Sequence, residues 1–231
     1  MAGPRSSASY SIPAETFDAG GAAASSASYQ TLGSAGSIVG RSTAANLELG
    51  HGYLAQIATA PLQVLGAISR KTHGAAGPFD IDLPLTGAAG IESRIPGIGD
   101  SHQVIVTFAD PVSVAGVSVM SSDGQAAGSA SANQSVVTLN LTGVANAQTL
   151  GVTLVQVNNG SETANVFVPL GVLLGDTNGN GAVTSSDISQ TKGRSGQAID
   201  NTNFRSDVNI SGTFTASDIS LVKTKAGTGL P

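Results

Sequence analysis

Oxygen-bearing side chains in the last third of the chain recur with a fixed spacing of 31 residues. Ten residues of one segment have identical counterparts in the next, which is far more agreement than chance gives. The first set is Asp176, Asn178, Gly181, Thr184, Ser186, Asp187, Ile188, Ser189, Lys192 and Gly196. The second set is Asp207, Asn209, Gly212, Thr215, Ser217, Asp218, Ile219, Ser220, Lys223 and Gly227. The segment is therefore a tandem duplication built around carboxylate, amide and hydroxyl side chains.

Both copies have the spacing of an EF-hand-type loop, in which alternate residues of a tight turn point oxygen atoms toward one calcium ion. We predict two calcium sites, with ligands at loop positions 1, 3, 5, 7, 9 and 12. Position 7 contributes its backbone carbonyl, and a glycine at position 6 allows the sharp turn. The first set of ligands is Asp176, Asn178, Asn180, Ala182, Thr184 and Asp187. The second set is Asp207, Asn209, Ser211, Thr213, Thr215 and Asp218.

The alternative for these segments is a pair of Asx-rich turns that hold no metal. Two copies in the same register favour the calcium loops. Each site has only two carboxylates, which predicts weak affinity suited to extracellular calcium. The first site is expected to bind more tightly, because Asn180 reaches further than Ser211 at position 5.

A short helix is expected after each loop, because the last carboxylate of the loop lies where the helix starts. The expected helices run from Ser186 to about Arg194 and from Ser217 to about Ala226. Their apolar residues should pair the two halves of the duplication. These residues are Ile188, Ile219, Leu221 and Val222.

The segments GDTNGNGAVTSSDISQTKG and SDVNISGTFTASDISLVKTKAG resemble the duplicated repeats of a type I dockerin, over about residues 172–228. The resemblance implies Asp rather than Glu at position 12, and loops that lack the incoming helix of a full EF-hand. It also implies a cohesin-like receptor as a partner. The phrases SASYSIPAETFDAGG, SRKTHGAAGPFDIDLPL and GVLLGDTNGNG further resemble the C-terminal regions of secreted bacterial repeat proteins with dockerin-like tails.

The residues before the duplication predict strands rather than helices. Short alternating or apolar segments separated by turns are typical of a β-sandwich, here over residues 66–170. The expected strands are Phe79–Leu83, Gln103–Phe108, Val112–Val119, Val136–Leu141, Thr149–Val157 and Thr163–Val168. Asp123-Gly124 and Asn158–Gly160 are expected to form hairpin turns, since Asn and Gly accept positive φ.

Residues 1–65 form a Gly/Ala/Ser-rich arm in which SSASY occurs twice, at Ser6–Tyr10 and Ser25–Tyr29. We expect short strands or hairpins there, with a further strand over Gly52–Ile57. Such an arm is ordered only where something holds it down, so it is expected to pack against another subunit or domain. At the other end, Val172-Leu173-Leu174 should dock the sandwich on a C-terminal module of residues 171–231.

The predicted fold is therefore mainly β. It is an Ig-like antiparallel β-sandwich with an N-terminal β-strand arm and a small C-terminal dockerin-like module of paired calcium loops and helices.

Composition excludes several classes of protein. A net charge of −5 without a basic stripe disfavours nucleic acid as a partner. No apolar run reaches the length of a membrane span, so no membrane insertion is expected. The chain has no cysteine, which excludes disulfides and thiolate metal sites. We see no catalytic motif, and His51, His73 and His102 are expected to be surface or turn residues.

These patterns lead to the hypothesis of a non-enzymatic, calcium-binding structural protein of an extracellular or cell-surface assembly. It would self-associate into a cell-surface or filamentous assembly through strand exchange by the arm. The alternative is a dockerin-type anchoring module that binds a cohesin-like receptor, which requires exposed faces at Ser185-Ser186 and Ala216-Ser217. An enzyme or a carbohydrate-binding fragment would need a lined cleft. No signal peptide is visible in this sequence, so the chain is either a mature form or exported by another route.

Overall fold

The computed structural model describes residues 61–231 apart from 98 and 100, and six strands that precede them. The chain divides into two compact units, Met1–Pro61 and Leu62–Pro231. The strand expected over Gly52–Ile57 lies outside the described residues.

The six strands of the first unit pair with one another in sequence order. β1 pairs with β2, and β3 to β6 form a four-stranded antiparallel sheet. Their bounds are β1 Arg5–Ser7, β2 Tyr10–Ile12, β3 Ala23–Ser26, β4 Tyr29–Ser34, β5 Val39–Ala44 and β6 Leu47–His51. The repeated SSASY segment has the same role in both copies, because Ser7 lies opposite Tyr10 and Ser26 opposite Tyr29. The two copies of SSASY thus form two equivalent strand pairings.

Nine strands of the second unit form two sheets. The strands are β7 Val64–His73, β8 Gly77–Asp82, β9 Gly90–Glu92, β10 Ser101–Phe108, β11 Gly116–Met120, β12 Ala127–Asn133, β13 Val136–Thr142, β14 Gln148–Asn158 and β15 Thr163–Val172. One sheet has the order β12-β13-β10-β7-β8, and the other has the order β11-β14-β15-β9. All neighbours are antiparallel except β15 and β9, which are parallel.

The core lies between the two sheets and follows from the alternation of the strands. Every second residue of β10 is buried, from His102 to Phe108, as expected for strands that face the core on one side. The buried apolar residues that the sheets share include Val104, Val106, Val137, Leu139, Leu141, Leu150, Val152, Leu154, Val168 and Leu170. The predicted mainly β sandwich is therefore confirmed.

Two local predictions in the sandwich were wrong. Asp123-Gly124 is not a hairpin turn, because the strands on either side, β11 and β12, belong to different sheets. The strand expected over Val112–Val119 begins only at Gly116, after a single bridge from Ser113 to Asn158. The hairpin at Asn158–Gly160 is confirmed, since it joins the antiparallel neighbours β14 and β15.

The C-terminal module contains two short helices, α1 Ser185–Arg194 and α2 Ala216–Lys225. They are close to the predicted bounds. Leu173 is fully buried in an apolar cluster shared between module and sandwich. The cluster consists of Ile91, Leu173, Val183, Val208 and Val222, with Ala147, Leu174, Ile188, Leu221 and Leu230 packed around it. The predicted docking is thus confirmed for Leu173 and Leu174, whereas Val172 lies in the core of the sandwich. None of the helices in the described part of the chain has the length and apolar character required to cross a bilayer.

A second contact joins the module to the connection between β7 and β8. This connection is a 3-10 helix, Gly74–Ala76. Gly74 has φ +45°, and a Cβ there would overlap the carbonyl oxygen of Ser211. A Cβ on Gly212 would lie 2.7 Å from the carbonyl oxygen of His73. Glycine is therefore required on both sides, because two backbone segments touch with no room for a side chain.

Replacing Gly74 by Ala should destabilise the protein more than replacing Gly124 by Ala. Both glycines have positive φ, +45° and +68°, so both substitutions strain the backbone by roughly 1–2 kcal/mol. Among described residues no atom lies within 4 Å of a Cβ on Gly124, whereas the overlap at Gly74 should add about 1–3 kcal/mol. Urea unfolding of the two variants measures the difference. Equal losses of unfolding free energy in the two variants would show that the β7–β8 connection is not in close contact with the module.

Candidate metal centre

The first predicted calcium loop, residues 176–187, is organised around the carboxylate of Asp176. This side chain is fully buried. Its Oδ1 accepts hydrogen bonds from the backbone N–H groups of Gly179 and Asn180 at 2.9 and 3.1 Å. Its Oδ2 accepts one from Gly181 at 2.8 Å. Gly181 has φ +86°, so the residue at position 6 makes the sharp turn that the loop requires.

The last residue of this loop also starts α1. The Asp187 Oδ2 accepts hydrogen bonds from the Thr184 N–H at 2.9 Å and from its hydroxyl at 3.2 Å. The Thr184 hydroxyl oxygen in turn accepts a hydrogen bond from Ser186 N–H. This arrangement is a capping box, which satisfies backbone donors at a helix start. The capping box was not predicted from the sequence, although Thr-x-x-Asp stands at the start of both expected helices.

The second loop, residues 207–218, repeats the same pattern. Asp207 is fully buried, and its Oδ2 accepts a hydrogen bond from Gly212 N–H at 2.9 Å. Thr215 and Asp218 form the equivalent capping box at the start of α2. The Thr215 N–H donates to Asp218 Oδ2 at 2.9 Å. The duplication in sequence is therefore a duplication of hydrogen bonds as well.

The electrostatics of the second loop favour a cation. Burial raises the pKa of Asp218, and the negative charge of Asp207 adds to the rise. Burial also acts to raise the pKa of Asp207, but the hydrogen bonds from His73 and from the loop outweigh it, and this pKa is lowered. Two like charges held close together in a buried site are costly unless a cation neutralises them.

The twelve predicted ligands fall into two groups. The four carboxylates, Asp176, Asp187, Asp207 and Asp218, are fully buried. The other predicted ligands, which would bind through amide, hydroxyl or carbonyl oxygens, lie at exposed or half-buried positions of the same loops. They are Asn178, Asn180, Ala182, Thr184, Asn209, Ser211, Thr213 and Thr215. No three His, Cys, Asp or Glu side chains gather at one point in the described residues. The donor set is thus oxygen alone with two charges per loop, which fits calcium and not zinc.

A buried histidine of the sandwich reaches the second loop. The Nδ1 of His73 lies 2.8 Å from Asp207 Oδ2, and its Nε2 lies 3.0 Å from Arg94 Nη1. Because arginine can only donate, Nε2 must be the acceptor. The proton of the neutral ring is therefore on Nδ1, which donates to Asp207. This chain of hydrogen bonds, Arg94 to His73 to Asp207, is the relay between the sandwich and the second loop.

The relay ends in a buried ion pair. Arg94 Nε and Nη2 donate to the two carboxylate oxygens of Glu92 at 2.7 and 2.8 Å. Ser69 Oγ donates to Glu92 Oε2 at 2.5 Å. Burial alone would raise the pKa of Glu92. The charge and hydrogen bonds of Arg94 outweigh burial, so the pKa is lowered to about 2. The pair is bidentate and enclosed, so Arg94 is held in one orientation.

The expectation that the histidines are surface or turn residues was wrong for two of them. His73 and His102 are 0% and 1% exposed, and the side chain of His51 lies outside the described residues. The burial pattern of β7 explains the position of His73. Along β7, Ala67, Ser69, Lys71 and His73 occur at alternate positions and are all buried. The polar residues thus share the phase of a core residue, which indicates a buried polar network.

Arg205 makes the corresponding contact between the first loop and the sandwich. Its Nη2 donates to the carbonyl oxygen of Ile91 at 2.8 Å and lies 3.1 Å from where a Cβ on Gly179 would be. Burial lowers the pKa of Arg205, while the charges of Glu92 and Asp176 oppose the change. The described residues show no hydrogen bond from Arg205 to Asp176, so Arg205 acts on the first loop through its charge and its packing against Gly179.

Two equivalent faces remain open at the helix starts. Ser185 and Ser186 are exposed at the start of α1, and Ala216 and Ser217 are exposed at the start of α2. Exposure at these positions is what the sequence-based alternative of a docking module requires.

Two loop–helix units in tandem, each with a capping box and two buried aspartates, define the C-terminal module. Residues 174–225 match the family model of the type I dockerin domain. The resemblance expected over residues 172–228 is therefore confirmed, and the match supports calcium as the ion of the module. It covers the C-terminal module alone. No curated protein and no solved structure matches the chain.

We expect calcium to stabilise the protein through two sites. A ligand present at 100 times its dissociation constant adds about 2.7 kcal/mol per site to the free energy of unfolding. Asp176→Asn and Asp207→Asn should each abolish one of two binding events in isothermal titration calorimetry. Asp123→Asn is the control, because this carboxylate also accepts local hydrogen bonds but lies in an exposed turn. The prediction fails if wild-type protein takes up no calcium at millimolar concentration, or if the loop variants bind as many ions as the control.

Proposed function

We propose that residues 171–231 are a calcium-dependent docking module that anchors this chain to a cohesin-like receptor. The β-sandwich, residues 66–170, would be the body that the module carries, and residues 1–65 a separate β arm. In this proposal the chain acts by binding and not by catalysis. Its place is outside the cell or on the cell surface, in keeping with the dockerin match and with weak, two-carboxylate calcium loops.

One observation carries the proposal. The carboxylates that close the loops, Asp187 and Asp218, are also the third residues of α1 and α2 and complete their capping boxes. A calcium ion held by these carboxylates would therefore fix the first turn of each helix. The exposed residues of that turn, Ser185-Ser186 and Ala216-Ser217, form the surface that a receptor would contact. Calcium would control docking by ordering this surface, without touching the receptor.

The hydrogen bonds of the loops show why the metal would matter for shape. The N–H groups of Gly179, Asn180 and Gly181 already converge on Asp176. A carboxylate has about four lone-pair positions, so oxygen capacity remains for an ion. When bound, calcium supplies the positive charge that lets the buried carboxylates remain ionised. The protein itself supplies the geometry.

Assembly through strand exchange by the arm stays a prediction. The six described arm strands pair with one another, so their mutual pairing does not require a neighbouring subunit. For that reason the docking function is the better supported of the two hypotheses. Self-association would be an additional property, tested by the mass of the chain in solution.

Receptor binding should need calcium and the helix starts. The full chain is tested by surface plasmon resonance against an immobilised cohesin-type domain, with calcium and with a chelator. The double variant Ser185→Arg/Ala216→Arg disables both copies of the face, and Ser161→Arg, in the exposed β14–β15 turn, is the control. We expect the double variant to lose at least about 2 kcal/mol of binding free energy, as for a central interface residue. Binding that persists in chelator, or in the double variant at wild-type strength, would contradict the proposal.

A further inference from the structure

The two calcium loops are duplicates in sequence, but their surroundings differ. In the described residues the Asp176 carboxylate takes its hydrogen bonds from its own loop. The Asp207 carboxylate also accepts hydrogen bonds from its own loop, from Ser211 N–H on Oδ1 and from Gly212 N–H on Oδ2. In addition, its Oδ2 accepts one from His73 of the sandwich. The repeat alone does not account for this donor from the sandwich, which lies 134 positions away in the chain.

The backbone contacts show the same asymmetry. Gly181 and Gly212 are equivalent, at position 6 of their loops, with φ +86° and +89°. In the described residues no atom lies within 4 Å of a Cβ placed on Gly181, whereas a Cβ on Gly212 meets the His73 carbonyl oxygen. The sandwich thus contacts the turn of the second loop through both the backbone and the side chain of His73. The turn of the first loop is contacted from within the module instead, where Leu230 N–H donates to the carbonyl oxygen of Gly181 at 3.0 Å.

We propose that His73 is a positioning residue for the second calcium site. It holds Oδ2 of Asp207 from outside the module. Oδ1 accepts the Ser211 N–H of the loop and keeps lone-pair capacity for the ion. The inference rests on the proposed calcium loops but not on the receptor. It means that one of the two sites is completed by the β-sandwich, and that calcium in this site fastens the module to the sandwich.

The relay explains how a histidine can hold a ligand in this way. The tautomer is fixed because Arg94 donates to Nε2, which leaves Nδ1–H for Asp207. Arg94 is itself fixed by Glu92 and by the carbonyl oxygens of Ser69 and Phe79, at 3.1 and 2.9 Å. His73, Glu92 and Arg94 are 0%, 0% and 1% exposed. A donor held this rigidly lowers the cost of orienting the carboxylate, as outer-shell partners of metal ligands do.

Site-resolved calcium titration by 1H–15N NMR of the full chain tests the inference. The amides of Gly181 and Gly212 each donate to the first carboxylate of their loop, so each reports on one site. His73→Leu removes the donor and should weaken the second site about 10- to 100-fold, with the first site changed less than about twofold. His73→Asn places an amide N–H at the distance of Nδ1 from the backbone and should restore part of the affinity.

Phe79→Leu is the control for a purely structural effect. The Phe79 ring packs edge-on against His73 at 5.2 Å, so its loss loosens the pocket but keeps the donor. It should lower the unfolding temperature without selective weakening of the second site. If His73→Leu does not fold, His73→Asn is compared with His73→Gln, whose amide lies one bond further out and should restore less.

The outcomes test the role of His73 separately from the existence of the calcium loops. Wild-type second-site affinity in His73→Leu, or equal weakening of both sites by His73→Leu and Phe79→Leu, would overturn the role of His73. So would equal second-site affinities in His73→Asn and His73→Gln. If neither glycine amide of the wild-type chain responds to calcium, the calcium loops themselves are wrong. A selective loss at Gly212, partly restored by His73→Asn, is the result we expect.

Discussion

Four carboxylates with no exposed surface, two in each loop, set the main physical constraint on the C-terminal module. An ionised carboxylate taken out of water is stable only with hydrogen bonds and a compensating positive charge. The backbone N–H groups of the loops provide the hydrogen bonds, but the loops themselves carry no cation. In the proposed account a divalent ion in each loop would resolve this imbalance. It would also fix the helix starts, because the same aspartates complete the capping boxes.

The module is attached to the sandwich by more than a linker. Residues 62–231 form one compact unit, joined by the apolar cluster around Leu173 and by the relay from Glu92 to Asp207. Backbone hydrogen bonds reinforce the junction, from Gly175 to Ser93 and from Ile95 to Val208. A docking module joined this firmly would present its two helix faces in a fixed direction relative to the sandwich.

Local features were predictable from the sequence, and non-local ones were not. The loops, the two helices and the Asn158–Gly160 hairpin depend on residues within a few positions of each other, so spacing and turn chemistry were sufficient. The change of sheet between β11 and β12 depends on pairing with distant strands, and Asp123-Gly124 looks the same in either case. The polar side chains of β7 gave no local sign of their partners. His73 is positioned by residues 21 and 134 positions away.

X-ray diffraction from crystals grown in calcium tests the central claim most directly, if data are collected at a wavelength where calcium scatters anomalously. The account predicts two peaks of anomalous difference density, one in each loop. Oxygen atoms of the first and last aspartates should lie within about 2.3–2.6 Å of each peak. Well-ordered loops with no peak, and with Asp176 and Asp207 turned away from the loop centres, would contradict it.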